Sequence, residues 1–454
     1  MNAPANLRRG WCPSASRPIR SGDGLLIRLH IGDPSLAPEM ALAVSDCAKR
    51  FGNGLIDLTQ RANLQLRGIS DATLPQVRER LSALGLGNPH QSPPIAGSIL
   101  VPPLIGLDGE ATLDIGPILV SLRQRLAMRP SLWALPPKFC ILVDNGGRLG
   151  LCDVEADIRF EAVATHEGTR LRVALGGRCN DATTIGTADP FEVPEVAAAL
   201  ASVFVRLRAG DERLRRMRDL LQHAGTAKIT EALSVTCPGR VSGPVGHEAV
   251  LVSASKAHSS HIGFHPLGNG LGCFGVGAPL GRLTAEQLAL LAGLSLEMGA
   301  HLRLTPWRSV LLAGLGRLQA LSIEDQLANT DLIIDPGDPR LAVTACPGAP
   351  ACDRATVPTR QDALALSELA RYLAPGGVVL HLSGCAKGCA RRESSKITLV
   401  GRDGRYDLII DGPAHGEPLL ERLTLADVLS ALTDLSAGVA KRRALEPYPP
   451  GALG

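Results

Sequence analysis

Two pairs of cysteines in the last quarter of the chain are the residues best suited to chemistry. Cys346 and Cys352 lie in ACPGAPACDR, and Cys385 and Cys389 lie in HLSGCAKGCARRE. Four thiolates in two close pairs can bind a zinc ion or an iron–sulfur cluster. Structural zinc sites favour pairs separated by two to four residues. The wider loop between Cys346 and Cys352, with two prolines, favours the bulkier iron–sulfur cluster.

The residues around the second pair agree with a cluster. Gly384 and Gly388 allow the backbone to approach inorganic sulfides closely. A cluster with four thiolates carries net negative charge, and Lys387, Arg391 and Arg392 would stabilise that charge.

The composition of the chain excludes some classes of function. With 45% hydrophobic and 20% charged residues it is that of a globular protein, and 454 residues are enough for two to four domains. A net charge of +3 gives a nucleic-acid partner no electrostatic support. No segment approaches about twenty uninterrupted apolar residues, so no membrane span is expected.

The other cysteines are interpreted from the expected compartment. The stretch MNAPANLRRGWCPSASRP has no apolar run after its arginines, which predicts no secretory signal and a cytoplasmic location. Disulfides are not expected in that reducing compartment. Scattered cysteines are usually small buried hydrophobic residues. The seven scattered ones are Cys12, Cys47, Cys140, Cys152, Cys179, Cys237 and Cys273.

The chain contains two internal repeats. Residues 22–69 align without a gap on residues 268–315, placing Gly22 on Gly268 and Thr59 on Thr305. Residues 157–177 resemble residues 396–412 in a strand–turn–strand pattern, and each is followed by an amphipathic helix. An α+β fold is therefore predicted, with the order A–B–A′–B′ and internal pseudo-two-fold symmetry. The predicted domains are A at 1–75, B at 90–235, A′ at 240–320 and B′ at 330–445.

The C-x5-C and C-x3-C pairs in the second half of such a duplicated chain resemble the sulfite and nitrite reductase family. The resemblance covers nearly the whole chain. It implies a 4Fe–4S cluster held by Cys346, Cys352, Cys385 and Cys389, with Cys389 also bridging to the iron of sirohaem. The SGDGLLIRL opening and the departures described below favour one branch of this family. That branch is an NADH- and O₂-dependent monooxygenase, which hydroxylates precorrin-3A and closes a lactone in aerobic cobalamin biosynthesis.

The resemblance also implies basic residues that meet the carboxylates of a tetrapyrrole, because each buried carboxylate must be paired. Arg28 in GLLIRL, Arg61 in TQRANLQLRG and Lys138 in PPKFC match such positions. Arg308, on the equivalent hairpin of A′, is a weaker candidate. The alternative is that Arg28 and Arg61 are ordinary half-exposed arginines.

The hairpin that carries Arg61 also carries three polar side chains. In an extended strand, Asn63, Gln65 and Arg67 project from one face because side chains alternate with period two.

Two departures argue against reduction of sulfite or nitrite. The family has a motif like R-K-F-K, whereas here Lys138 is kept and Cys140 replaces the second lysine. Gly97 in GSILVPPLIGLD stands where the family has another basic residue. Six-electron reduction of a small oxyanion needs such cations. The fold is therefore expected to be kept and the oxyanion site to be lost.

Activation of O₂ requires a redox metal with an open position. The resemblance offers sirohaem or, if the tetrapyrrole slot holds substrate, a mononuclear non-haem iron. Imidazole and carboxylate ligands for such an iron are present in one stretch, although a polar linker with His265 as a turn residue is the favoured interpretation. The candidate ligands are His247, Glu248, His258, His261 and His265.

The stretch GNGLGCFG, residues 268–275, resembles a dinucleotide loop only weakly, since it opens no helix in a βαβ unit. The repeat explains its glycines better. Electrons from NADH are therefore expected to arrive through a separate reductase.

Two other functions stay open at the level of the sequence. One is a sirohaem-dependent sulfite or nitrite reductase. The other is a non-catalytic iron–sulfur protein that transfers electrons or binds a tetrapyrrole. An absorption spectrum would separate these, because sirohaem has sharp bands and a bare cluster has a broad shoulder.

Overall fold

The computed structural model describes residues 13–86, 98–166, 168–243, 250–251, 261–268, 270–373 and 378–436. In these ranges helices and strands form four modules in chain order, named A, B, A′ and B′, each with one main β-sheet. No helix in the described ranges has the length and apolar character needed to cross a membrane. The exact limits of the four domains stay a prediction.

The first half of the chain forms modules A and B. Module A contains β1 (Ile19–Ser21), β2 (Gly24–Leu29), α1 (Pro38–Phe51), β3 (Leu55–Leu58), β4 (Leu64–Ile69) and α2 (Leu74–Ala83). Module B contains β5 (Ile99–Leu100), α3 (Gly116–Ala127), β6 (Ile141–Asp144), β7 (Ala156–Thr165), β8 (Gly168–Gly177), β9 (Thr183–Ala188), α4 (Val193–Arg208), α5 (Met217–Thr236) and β10 (Val250–Leu251).

The second half repeats this order. Module A′ contains β11 (Gly263–Gly268), β12 (Leu271–Gly277), β13 (Arg282–Thr284), α6 (Ala285–Met298), β14 (His301–Leu304), β15 (Ser309–Leu315) and α7 (Arg317–Leu327). Module B′ contains β16 (Val343–Ala345), α8 (Thr359–Ala365), α9 (Ser367–Leu373), β17 (Leu380–Ser383), β18 (Ser395–Arg402), β19 (Arg405–Gly412), β20 (Leu420–Leu423) and α10 (Leu425–Ser436).

The predicted duplication of A is confirmed. Strand order is β1-β2-β4-β3 in A and β11-β12-β15-β14 in A′. The shift that places Gly22 on Gly268 also places β3 on β14 with the same bounds and β4 on β15 to within one residue. Both helices that follow the first hairpin begin favourably: α1 has Pro38 at its start, and Thr284 and Gln287 form a capping box at α6.

Modules A and A′ are joined through exchanged backbone hydrogen bonds. Strand β13 of A′ pairs with β3 of A and extends its sheet. In return, Leu36 N donates to Leu302 O at 2.9 Å, and Leu304 N donates to Pro34 O at 2.7 Å. Helices α1 and α6 pack against each other, and the two modules share one hydrophobic core. The pseudo-two-fold axis therefore relates two halves of one core.

Modules B and B′ also share their topology. Parallel strands β5-β6-β7 continue into antiparallel β8 and β9, and parallel strands β16-β17-β18 continue into antiparallel β19 and β20. Each module has its own hydrophobic core. The carboxyl ends of two neighbouring parallel strands therefore meet in each module, and the loops that follow them lie together.

The expectation that no cysteines form disulfides is wrong for one pair. Cys152 and Cys179 form a disulfide, with their Cα atoms 4.8 Å apart. They flank the β7–β8 hairpin, whose register pairs Ala156 with Gly177 and so brings the two flanks together. Four other scattered cysteines are buried and free, as predicted, and Cys12 lies outside the described residues. Those four are Cys47, Cys140, Cys237 and Cys273.

Candidate functional site

A cleft of about 1460 Å³ lies where the four modules meet. Its wall includes the A hairpin around Arg61, the A′ hairpin around Arg308, and the loops that follow the parallel strands of B and B′. About twice as many Lys and Arg side chains as Asp and Glu side chains line it. The modest net charge of the chain therefore hides a strongly basic cavity.

The four clustered cysteines come together at the B′ side of the cleft. Cys346 directly follows β16, and Cys385 lies two residues after the parallel neighbour β17. Cys346 is buried, Cys352 and Cys385 are partly buried, Cys389 is exposed, and all four line the cleft. The sheet thus brings both cysteine loops to one edge.

Backbone N–H groups in these loops donate to two of the four sulfurs. The backbone N–H of Gly384 donates to Cys346 Sγ at 3.1 Å, and that of Lys387 donates to the Cys385 sulfur. Cys389 opens onto the cleft, but the protein around its thiol desolvates it and raises its pKa to about 11; Lys387 opposes this rise, and the other three thiols add to it. The four sulfurs are therefore electrostatic neighbours.

The residues present fit an iron–sulfur cluster. A 4Fe–4S cluster takes one thiolate at each of four irons, with N–H donors and cations around the sulfurs. Within the described ranges, no three His, Cys, Asp or Glu side chains are grouped closely enough to hold a single metal ion. Gly384 has no room for a side chain, because a Cβ atom there would lie 2.5 Å from Ala355 Cβ and 3.5 Å from Cys346 Sγ. The assignment of the four cysteines as cluster ligands stays a prediction.

Module A holds the loop between Cys346 and Cys352. Arg67 Nη2 and Ser21 Oγ donate to the Ala351 carbonyl at 3.0 and 2.6 Å. Arg67 is only 1% exposed and also pairs with Asp23 and Asp57. The SGDG stretch therefore packs on the first cysteine loop.

Asp57 links A to both A′ and B′. Its carboxylate accepts from Arg67, from Arg282 of A′ at 2.6 Å and from Arg360 of B′ at 3.3 Å. Burial raises the pKa of Asp57, but Arg360, Arg282 and Arg67 together lower it to about 2. The carboxylate is therefore ionised, and it fixes B′ against the A–A′ core.

The three predicted basic residues all line the cleft. Arg28 Nη2 donates to Gln65 Oε1 at 3.2 Å, and Arg61 donates to the backbone carbonyl of Lys138. The nearby His30 opens onto the cleft, but the protein around its ring desolvates it and lowers its pKa to about 4, and the charges of Arg28 and Arg61 lower it as well. These residues thus form a basic wall on the side of A and B, although their role in binding stays a prediction.

The predicted alternation on the A hairpin is present. Leu64 and Leu66 are buried in the A–A′ core, whereas Asn63, Gln65 and Arg67 line the cleft. Asn63 Oδ1 accepts from the N–H of Ile31 at 3.0 Å.

Several cleft cations were not predicted as ligands of a bound molecule. Arg216 donates to the same Lys138 carbonyl as Arg61 and pairs with buried Asp157 at 3.2 Å. Burial lowers the pKa of Arg392, as do the charges of Arg216 and Arg61, and Glu155 and Cys389 raise it. These guanidinium groups come from separate elements, so no local spacing in the sequence signals their meeting.

The expected loss of the oxyanion site stays a prediction, and the structure shows what surrounds Cys140. Cys140 is fully buried and packs in the core of B behind Lys138, where its N–H donates to Asp157 at 2.8 Å. The guanidinium of Arg216 contacts the Cys140 thiol and lines the cleft. Arg216, at the start of α5, is therefore a cation close to Cys140 and to the carbonyl of Lys138. Gly97 lies outside the described residues.

Only two of the five candidate iron ligands, His261 and His265, lie within the described residues. His247, Glu248 and His258 lie outside the described residues. His261 stacks on Trp307 with ring centroids 5.1 Å apart and lines the cleft. His265 is not a turn residue: it lies on β11 opposite Cys273, and its Nε2 bonds to the Ile262 carbonyl at 3.1 Å.

The glycine-rich stretch near residue 270 forms the β11–β12 hairpin rather than a dinucleotide loop. Strand β12 pairs antiparallel with β11 and β15, and β13 precedes the next α-helix. The repeat accounts for this stretch, as predicted.

Known proteins resemble the chain over most of its length. Residues 17–84 and 265–329, which cover A and most of A′, match the nitrite/sulfite reductase ferredoxin-like half domain. A precorrin-3B synthase from Sinorhizobium sp is 35% identical over 91% of this chain and 85% of that protein. The ferredoxin–nitrite reductase of Synechococcus elongatus is 26% identical over 88% of this chain and 80% of its own.

The fold has a counterpart among solved structures. The NirA protein of Mycobacterium tuberculosis superposes with a TM-score of 0.72, at 22% identity, over 93% of this chain and 82% of its own. The chain therefore has the nitrite and sulfite reductase fold. It belongs to that family, in the branch that contains precorrin-3B synthase.

Proposed function

We propose that the protein is an iron–sulfur monooxygenase that converts precorrin-3A to precorrin-3B by O₂-dependent hydroxylation and lactone formation. The observation that carries the proposal is the 35% identity to precorrin-3B synthase over nearly the full length of both chains. A nitrite reductase and a sulfite reductase, at 26% and 29% identity, are more distant relatives. The family supports an oxidoreductase, and the chemistry of O₂ and NADH is part of the proposal.

The shape and charge of the cleft support a tetrapyrrole substrate. Its volume of about 1460 Å³ exceeds the roughly 300–1000 Å³ of ordinary small-molecule sites. A macrocycle with eight acidic arms enters such a cavity only if cations meet the carboxylates. We assign Arg28, Arg61 and Lys138 to these carboxylates, and the excess of basic side chains supplies further partners.

The residues of the chain can orient the substrate and exclude water. Arginine forks bind carboxylates bidentately and therefore set the rotation of the macrocycle, while Lys138 acts as a point charge. Desolvation by the surrounding protein lowers the pKa values of His30 and His261 to about 4, so both imidazoles are neutral near pH 7 and can accept hydrogen bonds from the substrate. The stacked His261 and Trp307 rings offer the macrocycle an apolar surface.

The proposed cofactors follow from the family and the thiols. Cys346, Cys352, Cys385 and Cys389 would hold a 4Fe–4S cluster, which passes electrons one at a time when bound. A second iron centre, either a mononuclear non-haem iron or sirohaem next to Cys389, would activate O₂. Electrons from NADH would arrive through a separate reductase. We also propose that the protein acts in the cytoplasm, without nucleic-acid or membrane partners.

The second candidate is a sirohaem-dependent sulfite or nitrite reductase. Arg61, Arg216 and Arg392 lie together near Cys389 and could bind a small oxyanion. A third candidate, a non-catalytic electron carrier or tetrapyrrole-binding protein, shares the cluster and the cleft but predicts no turnover.

Isotope labelling separates these candidates. Anaerobically purified protein is supplied with precorrin-3A, an electron donor and ¹⁸O₂. The proposal predicts a product that carries one ¹⁸O atom and a lactone, and negligible turnover of sulfite and nitrite with a strong artificial donor. Reduction of either anion at roughly 1–100 per second, the usual range for enzymes, would contradict it. Tight binding of precorrin-3A without a product would favour the third candidate.

Replacement of Arg61 tests the binding assignment. Loss of one partner of a buried charged pair costs about 2–5 kcal/mol, so Arg61→Ala should weaken precorrin-3A binding roughly 30- to 4000-fold. Anaerobic titration measures this, and the spectrum of the cluster should not change. Arg80→Ala is the matched control, because Arg80 lies on α2, is 58% exposed and lies outside the cleft wall. Equal affinity of both variants for precorrin-3A would show that Arg61 is an ordinary half-exposed arginine with no part in substrate binding.

A further inference from the structure

Each cysteine loop is held by an arginine from one of the two pseudo-symmetric modules. Arg67 of A donates to the carbonyl of Ala351, which precedes Cys352. Arg308 of A′ donates to the carbonyl of Ala390, which follows Cys389, at 2.9 Å. Gln60 of A reaches the same Ala390 carbonyl at 3.4 Å. The hairpins of A and A′ therefore meet at the loop that carries Cys389.

Arg308 lies in the turn of the β14–β15 hairpin, and its side chain reaches this loop. Arg308 has φ +61°, a left-handed conformation that is uncommon outside glycine. Its stem passes over Gly281, where an added Cβ would lie 2.5 Å from Arg308 Cδ. Ala62, the counterpart of Arg308 in A, also has a positive φ, +50°, so this conformation belongs to the repeated hairpin turn. In A′ the turn carries a long side chain, and the stem of that side chain packs on Gly281.

The hydrogen-bond acceptors of Arg308 are neutral. Its Nη1 donates to Thr344 Oγ1 at 3.2 Å, and its Nη2 donates to the Ala390 carbonyl. Burial lowers the pKa of Arg308, and the charge of Asp57 opposes this. Next to it in B′, His381 is fully buried with neither ring nitrogen bonded in the described part of the chain, and its lowered pKa of about 4 keeps it neutral. The guanidinium is therefore a partly buried positive charge beside the loop.

We propose that Arg308 is the positioning residue that fixes the Cys389 loop and raises the reduction potential of the cluster. This inference rests on the proposed function, since it presupposes the 4Fe–4S cluster. Reduction adds one negative charge to the cluster, and a cation hydrogen-bonded to the carbonyl next to Cys389 favours the reduced form.

Redox titration followed by electron paramagnetic resonance tests the proposal in anaerobically purified full-length protein. Arg308→Gln should keep the cluster but lower the equilibrium constant for its reduction about tenfold, which is about 59 mV for a one-electron couple. Arg308→Lys keeps the charge and should shift the potential less. Gly281→Ala should push the Arg308 stem aside and shift the potential in the direction of Arg308→Gln.

Gly299→Ala is the matched control for Gly281→Ala. Gly299 also has a positive φ, +63°, but a Cβ there meets no atom within 4 Å, so its potential should equal that of the wild type. A wild-type potential and spectrum in both Arg308→Gln and Gly281→Ala would overturn the role of Arg308 while leaving the proposed function intact. If Arg308→Gln loses the cluster, its potential cannot be measured. In that case a wild-type potential in both Gly281→Ala and Arg308→Lys would overturn the role of Arg308. A wild-type protein without a cluster would overturn both proposals.

Discussion

Modules B and B′ have the same strand order but hold their strand-end loops with different groups. In B, Asp144 at the end of β6 accepts the N–H groups of Gly146 and Leu151 at 2.9 and 2.6 Å. Asp108, in the loop after β5, accepts the N–H of Arg148 at 2.6 Å and so ties the two loops together. The equivalent loops of B′ carry the four cysteines.

The sheets beneath these loops differ as well. In B, buried Glu161 lies between Arg159 Nη2 at 2.7 Å and Arg172 Nε at 3.0 Å, and Arg159 reaches back to the Leu151 carbonyl at 3.0 Å. Ser395 pairs with Gly412 as Ala156 pairs with Gly177, which places Val400 of B′ at the position of Glu161. The loops and sheet of B are therefore held together by carboxylates and arginines of the chain itself. The loops of B′ instead carry four thiols, which a bound cluster would link.

The largest expected effect is the loss of the cluster from B′. Cys385→Ser should remove or cripple the 4Fe–4S centre and abolish turnover, because a hydroxyl binds iron far more weakly than a thiolate. Iron and acid-labile sulfide analysis measures this, and the same result is expected at Cys346, Cys352 and Cys389. Cys140→Ser in B is the control and should keep the cluster. Wild-type iron content in all four B′ variants would refute the assignment.

The next effect concerns the buried ions of B. Glu161→Gln leaves two buried guanidinium groups without their carboxylate and should lower the free energy of unfolding by about 3–5 kcal/mol. Urea denaturation measures this loss, and the iron content of the folded protein should stay that of the wild type. Glu286→Gln, which breaks an exposed pair with Lys49, is the control and should change little. A drop in iron with unchanged stability would mean that B supports the cluster directly.

The smallest effect is the pH dependence of the joint between B′ and the A–A′ core. The pKa of Asp57 is lowered to about 2 from an ordinary 3.8, so its ion pairs stabilise the fold above about pH 4 and are lost as the pH falls toward 2. Asp57→Asn should therefore cost about 2 kcal/mol near pH 7. The gap to the wild type should close between pH 4 and pH 2 in urea denaturation. A gap that is constant with pH would show that Asp57 acts by packing alone.

The duplicated elements and the meeting of the cysteines could be predicted because both leave local signals. The gapless repeat aligns β3 with β14 because the period of side-chain alternation is kept in both copies. The two cysteine pairs meet because each follows a parallel strand, and the neighbouring parallel strands β16 and β17 end at the same edge of the sheet in B′.

The remaining site residues leave no such signal. Arg216, Arg308 and Arg392 come from a helix start, a hairpin and a loop, and only the tertiary fold brings them to one cleft. Arg216, the cation that contacts Cys140, was missed for this reason. Cys152 and Cys179 lie close to the two ends of one predicted hairpin, and this position could have indicated their disulfide. The disulfide was not predicted because a reducing compartment was expected.

Iron-edge anomalous diffraction from anaerobically grown crystals tests most directly whether B′ holds a four-iron cluster facing the cleft while B holds none. We expect compact iron density bounded by the sulfurs of Cys346, Cys352, Cys385 and Cys389, and no iron among Asp108, Asp144 and the loops of B. A single ion among those sulfurs, or no iron in B′, would contradict this expectation.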